Sequence, residues 1–393
     1  MKYPRGFLVS GIHARIKRNP RKLDLAIIHS VVPATVAGVT TQNRVAAAPV
    51  LYARKVFRQG VAQTIVVNSG NANACTGKAG LYVVDREVEA VVAALGVKLA
   101  HVLVASTGII GVLPDVAKLE VGIARVAKQL APRKWPRVAR AIMTTDLTLK
   151  QAWVGGSFRG QKYALGGVTK GSGMIHPNMG TMLAFLVTDL GMTQRLLQKA
   201  LAEANRVSFN RISVDGDVST NDMAVVMANG QSGIMLTSES EPLYQRFCKQ
   251  LTQVCIDLAK EIARDGEGAT KLIECLVTGA RNEAEAEQVA KTVITSSLVK
   301  AAVHGEDPNW GRVIAAAGRS GVPLPPSRLR LWFGDKLIYR RGAPVRKPRE
   351  HFRPALLKRD VLIYLDLGMG DARAVCWGCD LSARYVQINA AYS

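Results

Sequence analysis

Cysteine is scarce, long apolar runs are missing, and acidic residues are heavily outnumbered by basic ones. Six cysteines in 393 residues, at 75, 248, 255, 275, 376 and 379, are too few for a disulfide framework. Cys376 and Cys379 form a CxxC, but no second CxxC or HxxxH pair stands nearby to complete the four ligands of a structural zinc. They read as two small buried residues near a C-terminal strand. No apolar run reaches the roughly 18 to 20 residues that cross a bilayer, which excludes a membrane partner of that kind. The opening MKYPRGFLVSGIHARIKRNPRK sets basic residues on both sides of a short apolar patch, without the long apolar region of a secretory signal. The expectation is a cytoplasmic protein. No repeat of fixed period and no low-complexity tract occurs.

What is present suits a compact fold. Hydrophobic residues make up 48% of the chain and charged ones 21%, and the length predicts two cores or one large two-layer assembly. The net charge of +22 raises nucleic acid as a partner. Yet the basic residues are spread along the chain, densest from Arg328 to Arg359, with no RNP, helix-turn-helix or zinc-finger pattern. An enzyme therefore ranks well above a nucleic-acid-binding protein, and the charge reads as a solvated face that attracts acidic substrates.

Short apolar runs from Leu25 to Ala48 and the β-branched Thr64 to Val67 read as strands, the latter stopped by the loop NSGNANACTG. A helix over Asp85–Leu95 closes at Gly96, and a strand Val102–Ala105 runs into the turn STGIIG. Further helices are predicted over Pro114–Leu130, from the cap Thr193 onward, over Glu241–Arg264 with Gly266 as its left-handed stop, and over Glu283–Val303. Strands are predicted within 151–169, in MLAFLVTDL after Thr181, and at Leu329–Phe333, Val361–Leu365 and Ala374–Cys376. RGAPVRKPRE near 341–350 reads as a surface loop. Strands mixed with a few long helices, without regular alternation, predict a layered α+β fold.

The most informative segment is KGSGMIHPNMGTMLAF, Lys170 to Phe185, where a glycine-rich stretch leads into Thr181 at the head of an apolar strand. A strained Gly180-Thr181 peptide would let the Thr181 hydroxyl attack the preceding carbonyl, and hydrolysis would free Thr181 as a new N-terminus. Its α-amine, with an ordinary pKa of about 8, would then serve as a built-in base for the hydroxyl. Pattern alone favours a plain turn before a strand.

That segment, with NSGNANACTG, STGIIG, SFNRISVDGDVSTND, GEDPNWGRV and the terminal WGCDLSARYVQINAAYS, closely resembles the ornithine acetyltransferase family of arginine biosynthesis, also called bifunctional glutamate N-acetyltransferase/amino-acid acetyltransferase. The match is collinear from about Gly6 to Ser393. The resemblance implies an N-terminal-nucleophile-like sandwich of sheets and helices, made as a precursor that cleaves itself between Gly180 and Thr181. The products are an α chain, 1–180, carrying the oxyanion turn, and a β chain, 181–393, starting at the nucleophile. Thr181 would take acetyl from N2-acetyl-L-ornithine and pass it to L-glutamate. Thr107 and Gly108 match the oxyanion positions, and Thr144, Lys170, Thr181, Glu267 and Asn389 the substrate-binding ones. No metal or organic cofactor is implied; acetyl-CoA stands as an alternative acetyl donor. A heterotetramer of two α and two β chains is the implied assembly.

The remaining motif residues carry plainer readings. Asp215, Asp217 and Asp222 superficially suggest a calcium loop but lack its bidentate glutamate, and read as a structural loop. Asn309-Trp310-Gly311-Arg312 reads as a helix-end cap, and His176 as a base made unnecessary by the Thr181 amine. Two departures from the family stand out: Gly180 replaces the commoner alanine, and the chain ends at Ser393, short of the usual hydroxyl residue five positions beyond Asn389. The rival readings are an acetyl-CoA-dependent N-acetylglutamate synthase on the same scaffold, and an N-terminal nucleophile amidase or aminopeptidase in which water is the acceptor.

Overall fold

The computed structural model describes residues 3–176 and 182–391, so Gly180, Thr181 and Ser393 lie outside the described residues. The chain forms two compact units, one of Met1–Gly171, Asn178–Asn210 and Asp217–Leu258, the other of Ser172–Pro177, Arg211–Gly216 and Ala259–Ser393. The helix Pro242–Arg264 is divided between them after Leu258.

The first unit is built on an eight-stranded sheet. Its strands run, neighbour to neighbour, Val102–Ile109, Val61–Asn71, Leu25–Thr40, Met223–Ala228, Leu183–Thr188, Gln161–Lys170 and Lys150–Phe158, with Phe7–Ile12 also paired to Leu25–Thr40. The near-continuously apolar strands follow from burial on both faces. Ala26, Ile28, Ile65, Val67, Leu103 and Ala105 face a core shared with Trp135, Val138 and Ile142 of the helix Trp135–Ile142. The alternate residues Leu25, Ile27, Val66, Val102 and Val104 pack with Val84, Val88 and Val91 of Gly77–Leu95 and with Leu119, Ile123 and Val126 of Val116–Ala127. Period-two alternation thus feeds two cores, one per face.

The second unit holds a seven-stranded sheet ordered Ala343–Pro344, Lys336–Arg340, Arg330–Phe333, Asp360–Asp366, Leu272–Ala280, Ala372–Cys379 and Ile212–Ser213. Ile273, Cys275, Leu331, Ile363 and Cys376 bury one face against Val289, Val293, Val299, Val303, Val313 and Ala317. Parallel and antiparallel pairs mix in both sheets, as the α+β reading expects.

Several boundaries differ from the sequence reading. The helix predicted over Glu283–Val303 is two, Glu283–Ile294 and Ser297–His304, because the Ser296 hydroxyl accepts from the Val299 N–H and starts a new helix. Asp115, not Pro114, opens the next corrected helix, Val116–Ala127, by accepting from the Lys118 N–H. The left-handed residue after Arg264 is Gly268, φ +71°, rather than Gly266. NSGNANACTG is only partly loop: Asn68–Asn71 extends a strand and Gly77 begins the helix that runs to Leu95. Leu25–Thr40 is one strand of 16 residues, carried through Pro33. Asn309 caps the start of Trp310–Gly318, accepting from the Arg312 N–H, rather than the end of the preceding helix.

Candidate active site

Strand register gathers one group of residues in the first unit. Val61–Asn71 and Val102–Ile109 run parallel, pairing Ser69 with Thr107 and Gly70 with Gly108. Both glycines have positive φ, +108° and +138°. A Cβ on Gly108 would lie 2.3 Å from the Gly70 carbonyl carbon, so only glycine allows this close backbone approach. Thr107 is buried, and its Oγ1 stands 3.5 Å from the Nζ of Lys170, itself buried at the end of Gln161–Lys170.

A buried carboxylate braces the lysine's end of that strand. Asp146 accepts from the Lys150 ammonium at 2.8 Å, the Gly171 N–H at 2.7 Å and the Thr144 N–H at 2.9 Å. Burial pushes its carboxyl up, but the charges of Lys170 and Lys150 and the hydrogen bonds it accepts outweigh that and hold it well below the usual carboxylate range. Thr144 is thereby fixed through its backbone, leaving its hydroxyl to other partners.

Lys170 also aligns with Leu183, and Leu183 with Met223, across adjacent strands. The residues just before those two, Met182 and Asp222, meet: Asp222 Oδ1 accepts from the Met182 N–H at 2.8 Å. Next to it Asn221 donates to the carbonyls of Ala72 and Ser106, at 2.6 and 2.8 Å, tying this loop to the residue preceding Thr107.

The second unit brings two other predicted residues together. Asn389 Nδ2 donates to Glu267 Oε2 at 2.8 Å, and the Glu267 N–H donates to the Ser172 carbonyl. Ser172 in turn donates to the Asp265 carbonyl, and Gly173 lies so near the Glu267 carboxylate that a Cβ there would be 2.4 Å from it. Glu267 is buried, which suits a carboxylate kept for a specific cationic partner.

Comparison with known proteins identifies the family. The ArgJ family model matches residues 8–393. The arginine biosynthesis bifunctional protein ArgJ of Symbiobacterium thermophilum is 46% identical over 390 residues, covering 99% of this chain and 97% of the relative. That of Thermosynechococcus vestitus is 44% identical, covering 99% and 96%. A solved ArgJ structure from Bacillus halodurans is 45% identical with a TM-score of 0.52, over 54% of this chain and all of that one. The chain belongs to the ArgJ family.

As an ArgJ member it is an enzyme of arginine biosynthesis that acts on small amino-acid substrates, and its layered α+β sheets and helices are the fold the resemblance implied. Thr107, Gly108, Thr144 and Lys170 fall in the first unit and Glu267 and Asn389 in the second. Among the described residues no cluster of histidine, cysteine and carboxylate side chains could hold a metal ion. Asp215 instead accepts from the Met174 and Ile175 N–H groups, so it is the loop brace the sequence suggested. His176 lies 3.2 Å from Ser213 Oγ, and Cys376 and Cys379 are buried thiols in one strand, raised by desolvation to about 12 and about 11. No helix among the described residues is long and apolar enough to cross a membrane.

Sequence reasoning missed three ArgJ residues here. Asp146 and Asn221 act through contacts with residues that are distant in sequence or on the backbone. Lys17 donates to the Leu23 and Met143 carbonyls, and burial lowers its ammonium to about 8 against the pull of Asp24. Only Asn221 had a local signal, its place inside the motif SFNRISVDGDVSTND.

Proposed function

We propose that the chain is a self-processing acetyltransferase that moves acetyl from N2-acetyl-L-ornithine to L-glutamate. Cleavage between Gly180 and Thr181 gives an α chain of 1–180 and a β chain of 181–393. The freed Thr181 amine takes the proton of its own hydroxyl, and the hydroxyl oxygen attacks the acetyl carbonyl. Ornithine leaves with that proton, and glutamate then attacks acetyl-Thr181 to restore the enzyme.

The tetrahedral oxyanion is met by the Thr107 hydroxyl and the Gly108 N–H, each donor contributing about 3 kcal/mol in comparable sites. Lys170 supplies the positive charge for substrate carboxylate, with Thr144 beside it along the chain's contact to Asp146. Glu267, oriented by Asn389, takes the ammonium groups of ornithine and glutamate. The cycle uses no metal or organic cofactor. The chains associate as two α and two β in the cytoplasm.

The observation that carries this reading is the Thr107 hydroxyl 3.5 Å from Lys170 Nζ, at a strand end closed by Gly108, within a chain matched to ArgJ over 8–393. Intact mass of the purified protein beside Thr181→Ala tests it, followed by transfer from acetylornithine to glutamate. Two pieces with Thr181 as a new N-terminus, an uncut mutant, and no turnover by that mutant are expected. A mutant that splits or turns over removes Thr181 from both roles. Ornithine and acetate released without glutamate would make the protein an amidase instead.

The word bifunctional in the relatives' names favours a second activity. Acetyl-CoA as donor to the same Thr181 fills it. Acetylglutamate formed from acetyl-CoA and glutamate alone, and lost in Thr181→Ala, is the expected result.

A further inference from the structure

Lys17 touches two parts of the candidate site in the first unit. Its ammonium donates to the Leu23 carbonyl at 2.9 Å and, across 126 residues of sequence, to the Met143 carbonyl at 2.6 Å. Met143 is bonded to Thr144, whose N–H is held by Asp146. The stem of the same side chain lies against Gly70, where an added Cβ would be 3.0 Å from Lys17 Cγ. Gly70 is the residue that pairs with Gly108 and lets it approach so closely. One side chain thus reaches the Thr144 segment with its head and the backing of the oxyanion turn with its stem.

The surrounding loop is built to hold it there. The buried Asp24 carboxylate accepts from the N–H groups of Ala14, Ile16 and Lys17 and lies 3.1 Å from His13 Nδ1, while Arg15 turns the chain around it at φ +68°. The Asp24 carbonyl in turn accepts from the Ser69 N–H at 2.8 Å, next to Gly70. The Ser69 hydroxyl donates to the Ala141 carbonyl, so the segment leading to Thr144 is pinned to one strand end twice, at Ala141 by Ser69 and at Met143 by Lys17. A short neutral donor such as Ser69 is enough to anchor one carbonyl. The four-carbon stem of lysine is what lets a single residue contact Gly70 and Met143 together.

We propose that Lys17 is a positioning residue for acetyl transfer, holding the Thr144 segment and the Gly70–Gly108 turn at one fixed spacing so that substrate is bound where the oxyanion donors act. This rests on the roles given above to Thr144 and Gly108. The two contacts divide the work. The ammonium sets Thr144 and with it substrate binding; the stem backs Gly70 and with it the donor that meets the transition state.

Steady-state kinetics of the full-length protein, with acetylornithine as donor and glutamate as acceptor, separate the two contacts. Lys17→Met keeps a stem over Gly70 and removes the ammonium, so KM for both substrates should rise by about 10- to 100-fold while kcat stays near wild type. Lys17→Ala removes both contacts and should also lower kcat, by about 10-fold or more. In a Thr144→Ala background Lys17→Met should add little further loss, because residues acting as one unit are not additive. Rates are referred to the cut fraction read by intact mass, which separates turnover from maturation. Lower stability in urea with wild-type kcat and KM in both variants would make Lys17 a brace for the fold alone and overturn the proposal, as would full additivity with Thr144→Ala. Unchanged KM in Thr144→Ala itself would remove Thr144 from the substrate site and this inference with it. A wild-type protein that moves no acetyl from acetylornithine to glutamate would overturn the functional reading beneath both.

Discussion

Asn389 donates to the Glu267 carboxylate at 2.8 Å across 122 residues of sequence, and also donates to the Tyr385 carbonyl one turn back on its own helix. The amide is therefore held from behind and fixes one oxygen of Glu267. A hydrogen bond to a charged group is worth about 1.5 to 3 kcal/mol. Asn389→Ala should lower kcat/KM for acetylornithine and for glutamate by about 10- to 100-fold, read from steady-state kinetics. Unchanged KM for both substrates would take Asn389 out of the substrate site.

Gly173 sets the other limit on the same carboxylate. A Cβ there would sit 2.4 Å from the Glu267 carboxyl, which is the end of a flexible side chain and can move aside. Gly173→Ala should thus cost under about 1 kcal/mol of stability, within the range of a small substitution whose neighbour yields. Misplacing the carboxylate should still lower kcat/KM by about 10- to 100-fold. Chemical denaturation beside kinetics checks the pair of effects; a large loss of stability with normal kinetics would reverse the reading.

Asp146 and Lys150 form an ion pair with both side chains fully buried. Asp146→Ala leaves the ammonium without this partner, and losing one member of a buried pair costs about 3 to 5 kcal/mol. The pH dependence has a definite sign. The folded carboxyl is held below its unfolded value of 3.8, so its stabilisation is present above that value and is lost as pH falls below it. Urea unfolding from about pH 7 to about pH 2 should show wild type losing stability in the acid range and Asp146→Ala already lacking that share. Parallel curves would mean that the pair contributes nothing net.

Local signals revealed what was local. Thr193 stands before an apolar spacing of three and four residues, and its hydroxyl accepts from the Leu196 N–H as such a cap should. Gly96 closes its helix at φ +67°. The break at Ser296 was hidden because Ile294, Val299 and Val303 all face one core and continue the apolar rhythm across it. In the site, the strand-to-turn junction at Thr107 was visible as an apolar run meeting a glycine. Asp222 was visible only as one of three aspartates in a loop. Its burial, its partner at Met182 and its spare oxygen come from the pairing of strands about 40 residues apart, which no local pattern encodes.

The pairing of Val61–Asn71 with Val102–Ile109 makes Gly108 the sharpest test of the proposed oxyanion turn. Its φ of +138° is one that side chains rarely adopt, and an added Cβ would meet the Gly70 carbonyl carbon at 2.3 Å and the Asn71 nitrogen at 2.4 Å. These are backbone atoms in a paired strand, so the turn itself must shift, unlike the flexible carboxyl beside Gly173. Gly108→Ala should cost about 1 to 3 kcal/mol of stability through backbone strain. Moving the Gly108 N–H away from the developing oxyanion should lower kcat by about 100- to 1,000-fold while KM changes little, since the contact is made in the transition state rather than with bound substrate. Thr107→Val removes the hydroxyl donor without the strain and should give the same kinetic signature at nearly wild-type stability. A rise in KM with kcat intact in both variants would assign this turn to substrate binding instead of oxyanion stabilisation.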